Sequence, residues 1–578
     1  MAGPARPKIC SQRQDIRLIY ISPGEQHEHI NCTFEVANLQ NPPPYEALSY
    51  VWGDPNITVS ITISSCAYQV TVNLGDALRH VRKRAEPRLL WVDAICINQG
   101  DNEEKSLQVG MMRNIYAKAF RCVIWLGDSQ HLGFSDAETR SSLDVIKMLA
   151  EDVHTPLAAP LDRAMKALEH LMGSPWWSRI WTVQEIVVSS SAVVHWGSQS
   201  MEWSIFEKAA EVLVEGNLYD RANLPFTMDQ LPAIFHGHRF SGPIIGIKIV
   251  RDYPDSSRLD TLRRFRYRQA TDPRDKVFGL AGLQPSSTVV TDYSLDVVQV
   301  YKQTTKDLIQ STNSLAVLIG RRGEERQIEG LPSWTADWTR PKDPLKHWDR
   351  YWDHSFRYGF YDADKSTDVV MEVDEQASTI SLSGLPIDLV EFVGEASMQD
   401  KEALADGDLP VSALQSTILR WQGLAESHFG STDGAYIGGG TWQDAFWRTM
   451  AGNLVTSGGY PERRAEDADR GFFDDFCHSA NPEDLEYGFE LYDGLRSNIV
   501  NQAFFITKSG YMGIGPPMIL KGDAVWVLFG SRVPFLLRPL LDSKGEDFAL
   551  LGDGYLHGTM NGEAVAGQKF GGMCVVLH

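Results

Sequence analysis

The sequence predicts an α/β fold with a mostly parallel sheet and helices on both faces, followed by a larger α+β region with a small β-rich end. Three observations carry that expectation. Short apolar runs recur at Tyr45–Gly53, Leu89–Asp93, Arg121–Asp128 and Ala192–Gly197, too brief for helices. Three of them close on Gly-Asp or Asp, as strands do when they hand over to a loop. Between them lie stretches with helical periodicity, which makes the units βαβ and the strands parallel. In such sheets the ligand crevice lies beyond the carboxyl ends of the strands. That rule gathers Trp52, Asp54, Asp93, Asn98, Gln99 and Asp128 at one rim.

Taken in order, Ile16–Ser22 alternates in part and reads as a strand, with a second around Cys32–Val36. His27, Glu28 and His29 between them read as a polar hairpin tip, because no fourth metal ligand joins them and Cys32. Asn41-Pro-Pro-Pro44 breaks the chain before Tyr45. Residues 57–63 and 68–72 form a hairpin around Ser64-Ser65, and Asn73 caps a helix running to Arg84. Asp101 with Glu104 has capping-box spacing, and Leu107, Met111, Met112, Ile115 and Ala119 give the next helix its apolar stripe. Helices follow at 136–152 and 161–172.

The stretch Ser174-Pro-Trp-Trp-Ser-Arg-Ile-Trp-Thr-Val-Gln-Glu-Ile-Val-Val188 reads as a helix capped by Ser174, with Pro175 in its first position. Ile180, Val183 and Val187 face a core, while Trp177, Trp181 and Glu185 succeed one another at four-residue steps. A carboxylate beside two indoles has a partner or a task, since desolvation penalises its charged form. Pairing with Arg179 or Arg113 is the structural alternative.

Past residue 200, helices at 203–216, 258–269 and 296–311 alternate with connecting stretches, and 367–395 reads as strands. The expected segments are 1–44 (N-terminal strands), 45–198 (the α/β domain), 199–395 (mixed), 396–500 (an acidic, Gly-rich insertion or mobile segment) and 501–578 (β-rich).

Composition excludes several functions. The balance of 54 basic against 75 acidic side chains gives a net charge of −21, which repels phosphate backbones, so no nucleic-acid partner is expected. The one basic cluster, Arg263, Arg264, Arg266 and Arg268, reads as a solvated face or a dock for the chain's own acidic segments. Seven scattered cysteines with no C-x-x-C pair point to reduced thiols and no cysteine-rich metal site. No apolar run spans a bilayer and no signal-peptide core follows Met1, so a cytoplasmic protein, or one shared with the nucleus, is expected. P-loop, nucleophile-elbow, H-E-x-x-H and G-x-G-x-x-G signatures are missing, and no cofactor is called for.

Five ordered blocks resemble the fungal heterokaryon-incompatibility (HET) domain family. They are Tyr45–Gly53, Leu90–Gln99, Met112–Ala117, Val123–Gly127 and Arg179–Glu185. Asp272–Leu280, Leu331–Trp334, Gly522-Asp523 with Leu537-Arg538, and Gly554–Glu563 look like the C-terminal region of large HET proteins. The resemblance implies a TIR-like doubly wound domain and an effector of nonself recognition and programmed cell death. It also implies, through the W-x-x-x-E-like pair Trp181 and Glu185, cleavage of the nicotinamide bond of NAD. On that reading Glu185 is the catalytic carboxylate. Trp52 and Trp181 stack on a ring, Asp54 and Asp93, Asn98 and Gln99 line the site, and Arg113 meets a phosphate. NAD is then a substrate and not a cofactor. The reading from another class is a non-enzymatic signalling module or regulator that self-associates through the same domain and meets an unidentified protein partner.

Overall fold

A computed structural model of the chain describes residues 6–10, 13–215, 224, 240–283, 291–320, 328–339, 357–396, 411–430, 434–457, 460–482, 489–540, 546–566 and 572–578. They divide into two compact units, Met1–Asp296 and Val297–His578. No helix among them is long and apolar enough to cross a membrane.

The first unit is built on a nine-stranded sheet. Its strands are β1 (Asp15–Ile21), β2 (Asn31–Asn38), β3 (Glu46–Ser49), β4 (Thr58–Ile63), β5 (Cys66–Thr71), β6 (Arg88–Trp91), β7 (Arg121–Trp125), β8 (Ala192–Trp196) and β9 (Gln199–Glu202). They lie in the order β5-β4-β2-β1-β6-β3-β7-β8-β9. The centre, β6-β3-β7-β8, is wholly parallel. Counted among themselves in chain order, these four run 2-1-3-4. The sheet as a whole is mixed and not mostly parallel. Of its eight pairings four are parallel and four antiparallel, because the hairpin β4-β5 and the strands β1, β2 and β9 extend it on both sides. Burial explains the division of labour. Every residue of β3 and β6 is buried, as parallel central strands require, whereas β2 and β4 alternate between buried and exposed positions. The N-terminal strands therefore belong to the same sheet as the α/β core.

The helices are α1 (Val72–Val81), α2 (Asp93–Cys96), α3 (Asn102–Gly110), α4 (Met112–Lys118), α5 (Asp136–Glu151), α6 (Leu161–Met172), α7 (Trp181–Val187), α8 (Trp203–Val214), α9 (Ser241–Asp252), α10 (Arg258–Arg264) and α11 (Asp275–Ala281). One expected cap is reassigned and one expected capping box is incomplete. Thr71 caps α1, and Asn73 instead braces the ends of two strands, donating to the Val51 carbonyl at 2.6 Å and accepting Trp125 Nε1 at 3.0 Å. Asp101 caps α3, but Glu104 turns away to Arg17 and to the Asn98 amide, so no reciprocal box forms. The arginine cluster also points inward. Arg263, Arg266 and Arg268 are buried, and Arg268 donates to the Trp177 carbonyl and to Thr182 Oγ1, so these residues form no solvated basic face.

In the second unit the long strand β11 (Thr379–Val393) follows β10 (Met371–Asp374) and organises everything after it. The other strands are β12 (Leu454–Ser457), β13 (Tyr460–Arg464), β14 (Ala503–Thr507), β15 (Met512–Gly515), β16 (Ala524–Leu528), β17 (Phe535–Pro539), β18 (Asp547–Asp553), β19 (Tyr555–Leu556) and β20 (Met573–Leu577). β11 pairs in turn with β20, β16 and β14, and with β16-β17-β18-β20 it closes a ring. A strand from the expected 199–395 segment is thus the keystone of the β-rich end. The expected insertion is a packed layer. Helices Val411–Phe429, Trp442–Ala451 and Arg470–His478 bury Leu414, Trp421, Phe446 and Phe473 in one core with Phe504 of β14 and Met512 of β15. Residues 397–410, 431–433, 458–459 and 483–488 of that expected insertion lie outside the described residues.

Gly384 is where β11 changes partner from β20 to β16. A Cβ there would sit 2.6 Å from the Val527 carbonyl oxygen and 2.9 Å from Leu528 Cα, both backbone atoms. Gly384→Ala is therefore expected to destabilise this unit by about 1–3 kcal/mol, seen as an earlier denaturant midpoint at unchanged slope. An unmoved midpoint would refute the close approach.

Candidate functional site

The order 2-1-3-4 makes β3 the strand from which the chain winds both ways, and the crevice rule directs attention to its carboxyl end. There the chain runs Ser49, Tyr50, Val51, Trp52. Alongside, β6 ends before Asp93, the first residue of α2. The Trp52 indole, 39% exposed, donates Nε1–H to Asp93 Oδ2 at 2.7 Å, and the Ala94 amide donates to Asp93 Oδ1 at 2.7 Å. Gln99 Nε2 donates to the Asp93 carbonyl at 3.1 Å.

Glu185 reaches this end from α7. The expected helix is broken in two: Pro175–Ser178 is a 3-10 turn, Arg179 is extended, and α7 starts at Trp181. A backbone bridge between Arg179 and Gln269 makes the break, with the Ile180 amide donating to the Gln269 carbonyl at 2.9 Å. Trp177 therefore leaves the expected stripe and is buried, its Nε1–H donating to the Leu171 carbonyl at 2.9 Å. Ile180, Val183 and Ile186 form the buried face, with Val187 only half-buried.

Glu185 is 4% exposed, and its Oε2 has no hydrogen-bond partner among the described residues. Burial pushes its carboxyl up to about 7. Arg179 and the hydroxyls of Ser49 and Tyr116 pull the other way, and the nearby Asp93 adds to the rise. Asp93 is raised too, chiefly by burial, against Arg179, Trp52 and the Ala94 amide. Arg179 thus serves two carboxyls while donating to the Tyr50 carbonyl, and neither acid is locked in the simple ion pair that the structural alternative envisaged. Around them the Trp176 indole donates to Ser49 Oγ at 2.8 Å and the Tyr116 hydroxyl to the Leu48 carbonyl at 2.9 Å. Beside a second raised acid that shares its cation, Glu185 can hold and release a proton near neutrality.

Of the expected residues, Glu185, Trp52, Asp93 and Gln99 come together. The others do not. Asp54 turns back onto Asn56, and Asn98 faces Arg6, with Nη1 to Oδ1 at 3.4 Å. Trp181 gives its indole N–H to Asp275 at 3.0 Å. Arg113 lies with Gln184 against Gly282 of the following segment. Asp128 accepts the Gln130 amide in its own loop. Tyr50, Tyr116, Ser49 and Trp176 also belong to the cluster and are not singled out by the sequence, although the first three lie within the quoted blocks, because nothing local separates a polar tip aimed at an acid from ordinary packing. Among the described residues no His, Cys, Asp and Glu grouping suits a metal, and His29 bonds Thr62 instead. Two cavities stand out, one of them lined by Arg357, Asn498 and Asp553, the other by Arg258 and Leu280. Neither touches Glu185 or Asp93.

Comparison with known proteins matches residues 45–185 to the heterokaryon incompatibility protein (HET) family and residues 478–570 to the Het-6 beta-barrel domain. The first match begins at Tyr45, one residue before β3, and ends on Glu185 itself. Heterokaryon incompatibility protein 6, OR allele, of Neurospora crassa is 25% identical over 95% of this chain and 94% of its own length. No solved structure matches.

Proposed function

The chain belongs to the fungal HET domain-containing proteins, and on that premise we propose that it is an effector of nonself recognition that triggers cell death by hydrolysing the nicotinamide bond of NAD. The observation that carries the chemical part is the Glu185–Asp93 pair around Arg179 at the ends of parallel strands ordered 2-1-3-4, an arrangement that a TIR-like domain would share. In the proposed reaction the C1′–N bond breaks with its electron pair going to nicotinamide. The resulting oxocarbenium is stabilised by ionised Glu185, and water adds to C1′ and gives up its proton, leaving ADP-ribose. Asp93 would hold the ribose hydroxyls. The exposed end of the cluster is Trp52, so a nucleotide enters on that side and displaces its indole from Asp93.

Because the role asks for the charged form of a group that titrates at about 7, the rate is expected to rise with pH through that value. Glu185→Gln is expected to lower nicotinamide release by at least about 100-fold and to abolish toxicity on expression in a fungus. Equal release by both proteins would end the catalytic reading. The second reading, a non-enzymatic module that self-associates, is favoured by the burial of Glu185 and by the position of both cavities away from it. Toxicity without nicotinamide release would select it.

A further inference from the structure

The block Asp272-Pro-Arg-Asp-Lys-Val-Phe-Gly-Leu280 lies outside both family matches, and the reaction above gives it no task. Its side chains nevertheless converge on the helix that bears Glu185. Asp275, at the start of α11, accepts two donors on its two oxygens: Trp181 Nε1–H at 3.0 Å and the Tyr293 hydroxyl at 2.6 Å. Tyr293 is itself clasped. Lys105 Nζ stands 4.5 Å from the centre of its ring, the Arg274 guanidinium 5.1 Å, and Phe278 meets it edge-on at 5.3 Å. Arg274, paired with Asp272 at 2.7 Å, also donates to the Tyr293 and Leu295 carbonyls, each at 2.8 Å. Gly279 lets the backbone of α11 close on α7. A Cβ there would meet Ile180 Cγ2 at 3.2 Å and the Trp181 ring at 3.5 Å.

Trp181 is the first residue of α7 and Glu185 stands one turn further along it. A seven-residue helix with no side-chain cap has little of its own to fix its position, so its placement comes from what grips its ends. We propose that Asp275 is a positioning residue which, by holding Trp181 and Tyr293 together, sets where Glu185 stands, so that the working site needs Asp272–Leu280 and Tyr293 as well as residues 45–185. The reaction half of this inference rests on the NAD reading above; the placement half does not. A carboxylate suits the task because two donors approach it from different elements, and an amide has a single acceptor oxygen to offer them.

The test uses the full chain with Asp275→Asn and Tyr293→Phe, read in two ways. One is nicotinamide release. The other needs no catalysis: the pH midpoint of the Glu185 titration, obtained as the pH-dependent stability gap between each protein and its Glu185→Gln counterpart. Arg179, Asp93, Tyr116 and Cys122, all coupled to Glu185, are unaltered in both variants, but Asp275→Asn removes a carboxyl while Tyr293→Phe removes no charge, so a midpoint moved in Tyr293→Phe as well reports a moved carboxyl. Both variants are expected to shift that midpoint from about 7 and to slow release by about 10- to 100-fold. If the wild type releases no nicotinamide, the NAD reading fails alone and the midpoint still decides. An unmoved midpoint in both variants overturns the proposal, whether or not the rate falls. Should Asp275→Asn not fold, Tyr293→Phe, which removes one hydroxyl, decides by itself.

Discussion

Glu46→Ala is expected to lower the unfolding free energy of the first unit by about 3–5 kcal/mol, the cost of leaving a buried guanidinium without its counter-charge. Glu46 opens β3, between its parallel neighbours β6 and β7, and is 8% exposed. Its carboxylate takes Arg88 in a two-point contact, with Nη2 at 3.1 Å, and Arg121 Nε at 2.6 Å. Arg88, 6% exposed, also donates to the Val81 carbonyl, so it cannot swing out to water without losing that bond as well. Burial alone would raise the Glu46 pKa, but the bonds from Arg88 and Arg121 outweigh it and hold the carboxyl below its ordinary range. One acid thus ties three parallel strands at their amino ends, opposite the end where Glu185 lies. Glu46→Gln keeps the shape and loses the charge, so it should cost less than alanine, about 1–3 kcal/mol. Urea midpoints at constant slope would measure both. A loss below about 1 kcal/mol for alanine would mean that Arg88 finds water or another acceptor, and the three-strand tie would be discarded.

Much of the first unit was legible because its signals are local. The runs around Leu48, Leu90, Val123 and Val193 are short and apolar on both faces, which only central strands of a covered sheet need be. What misled was information carried by distant residues. Nothing between Ser174 and Val188 announces a break, since the residue that makes Arg179 extended is Gln269, met only after folding. Trp181 has the spacing of a partner for Glu185 along a helix, but its indole nitrogen needed an acceptor, and Asp275 supplied one. The arginines near residue 265 read as a solvated face because charge is ordinarily exposed. Here Arg268 satisfies the Trp177 carbonyl of the broken turn and the Thr182 hydroxyl, and Lys276 does the same for the Arg266 carbonyl at 2.9 Å.

In the second unit the β-rich end is read from short apolar runs with turn signals, but closure of the ring leaves no such signal. It depends on β11, which pairs with four strands in all, meeting both β20 and β16 along its length, with register shifts at Pro386/Asp388 and at Val390/Phe392. Bulges of that kind leave no periodic trace. The segment after residue 396 looked like an insertion for its glycines and acids, while Trp421, Trp442 and Trp447, each 3% exposed or less, are what hold it in the core.

The candidate site itself makes its largest stability prediction through pH. Glu185 has an ordinary carboxyl pKa of 4.5 when unfolded and one raised to about 7 when folded. Below 4.5 both states hold the proton and the side chain adds no pH-dependent cost. Between 4.5 and about 7 the unfolded chain releases a proton that the folded chain keeps, so the unfolded state binds fewer protons and stability falls as pH rises. Above about 7 the folded carboxyl ionises too and the slope levels off, with a total loss of at most about 3 kcal/mol. Glu185→Gln has no proton to lose. Whatever constant penalty its amide adds, its stability relative to the wild type is expected to climb by up to that amount between pH 4 and pH 8, nearly all of it inside the 4.5 to 7 window. Denaturant titrations of both proteins at several pH values measure the climb. A gap that stays flat across the range would mean that the folded carboxyl titrates as it does in an unfolded peptide, with water at both oxygens, and the buried acid on which the proposed chemistry depends would not exist.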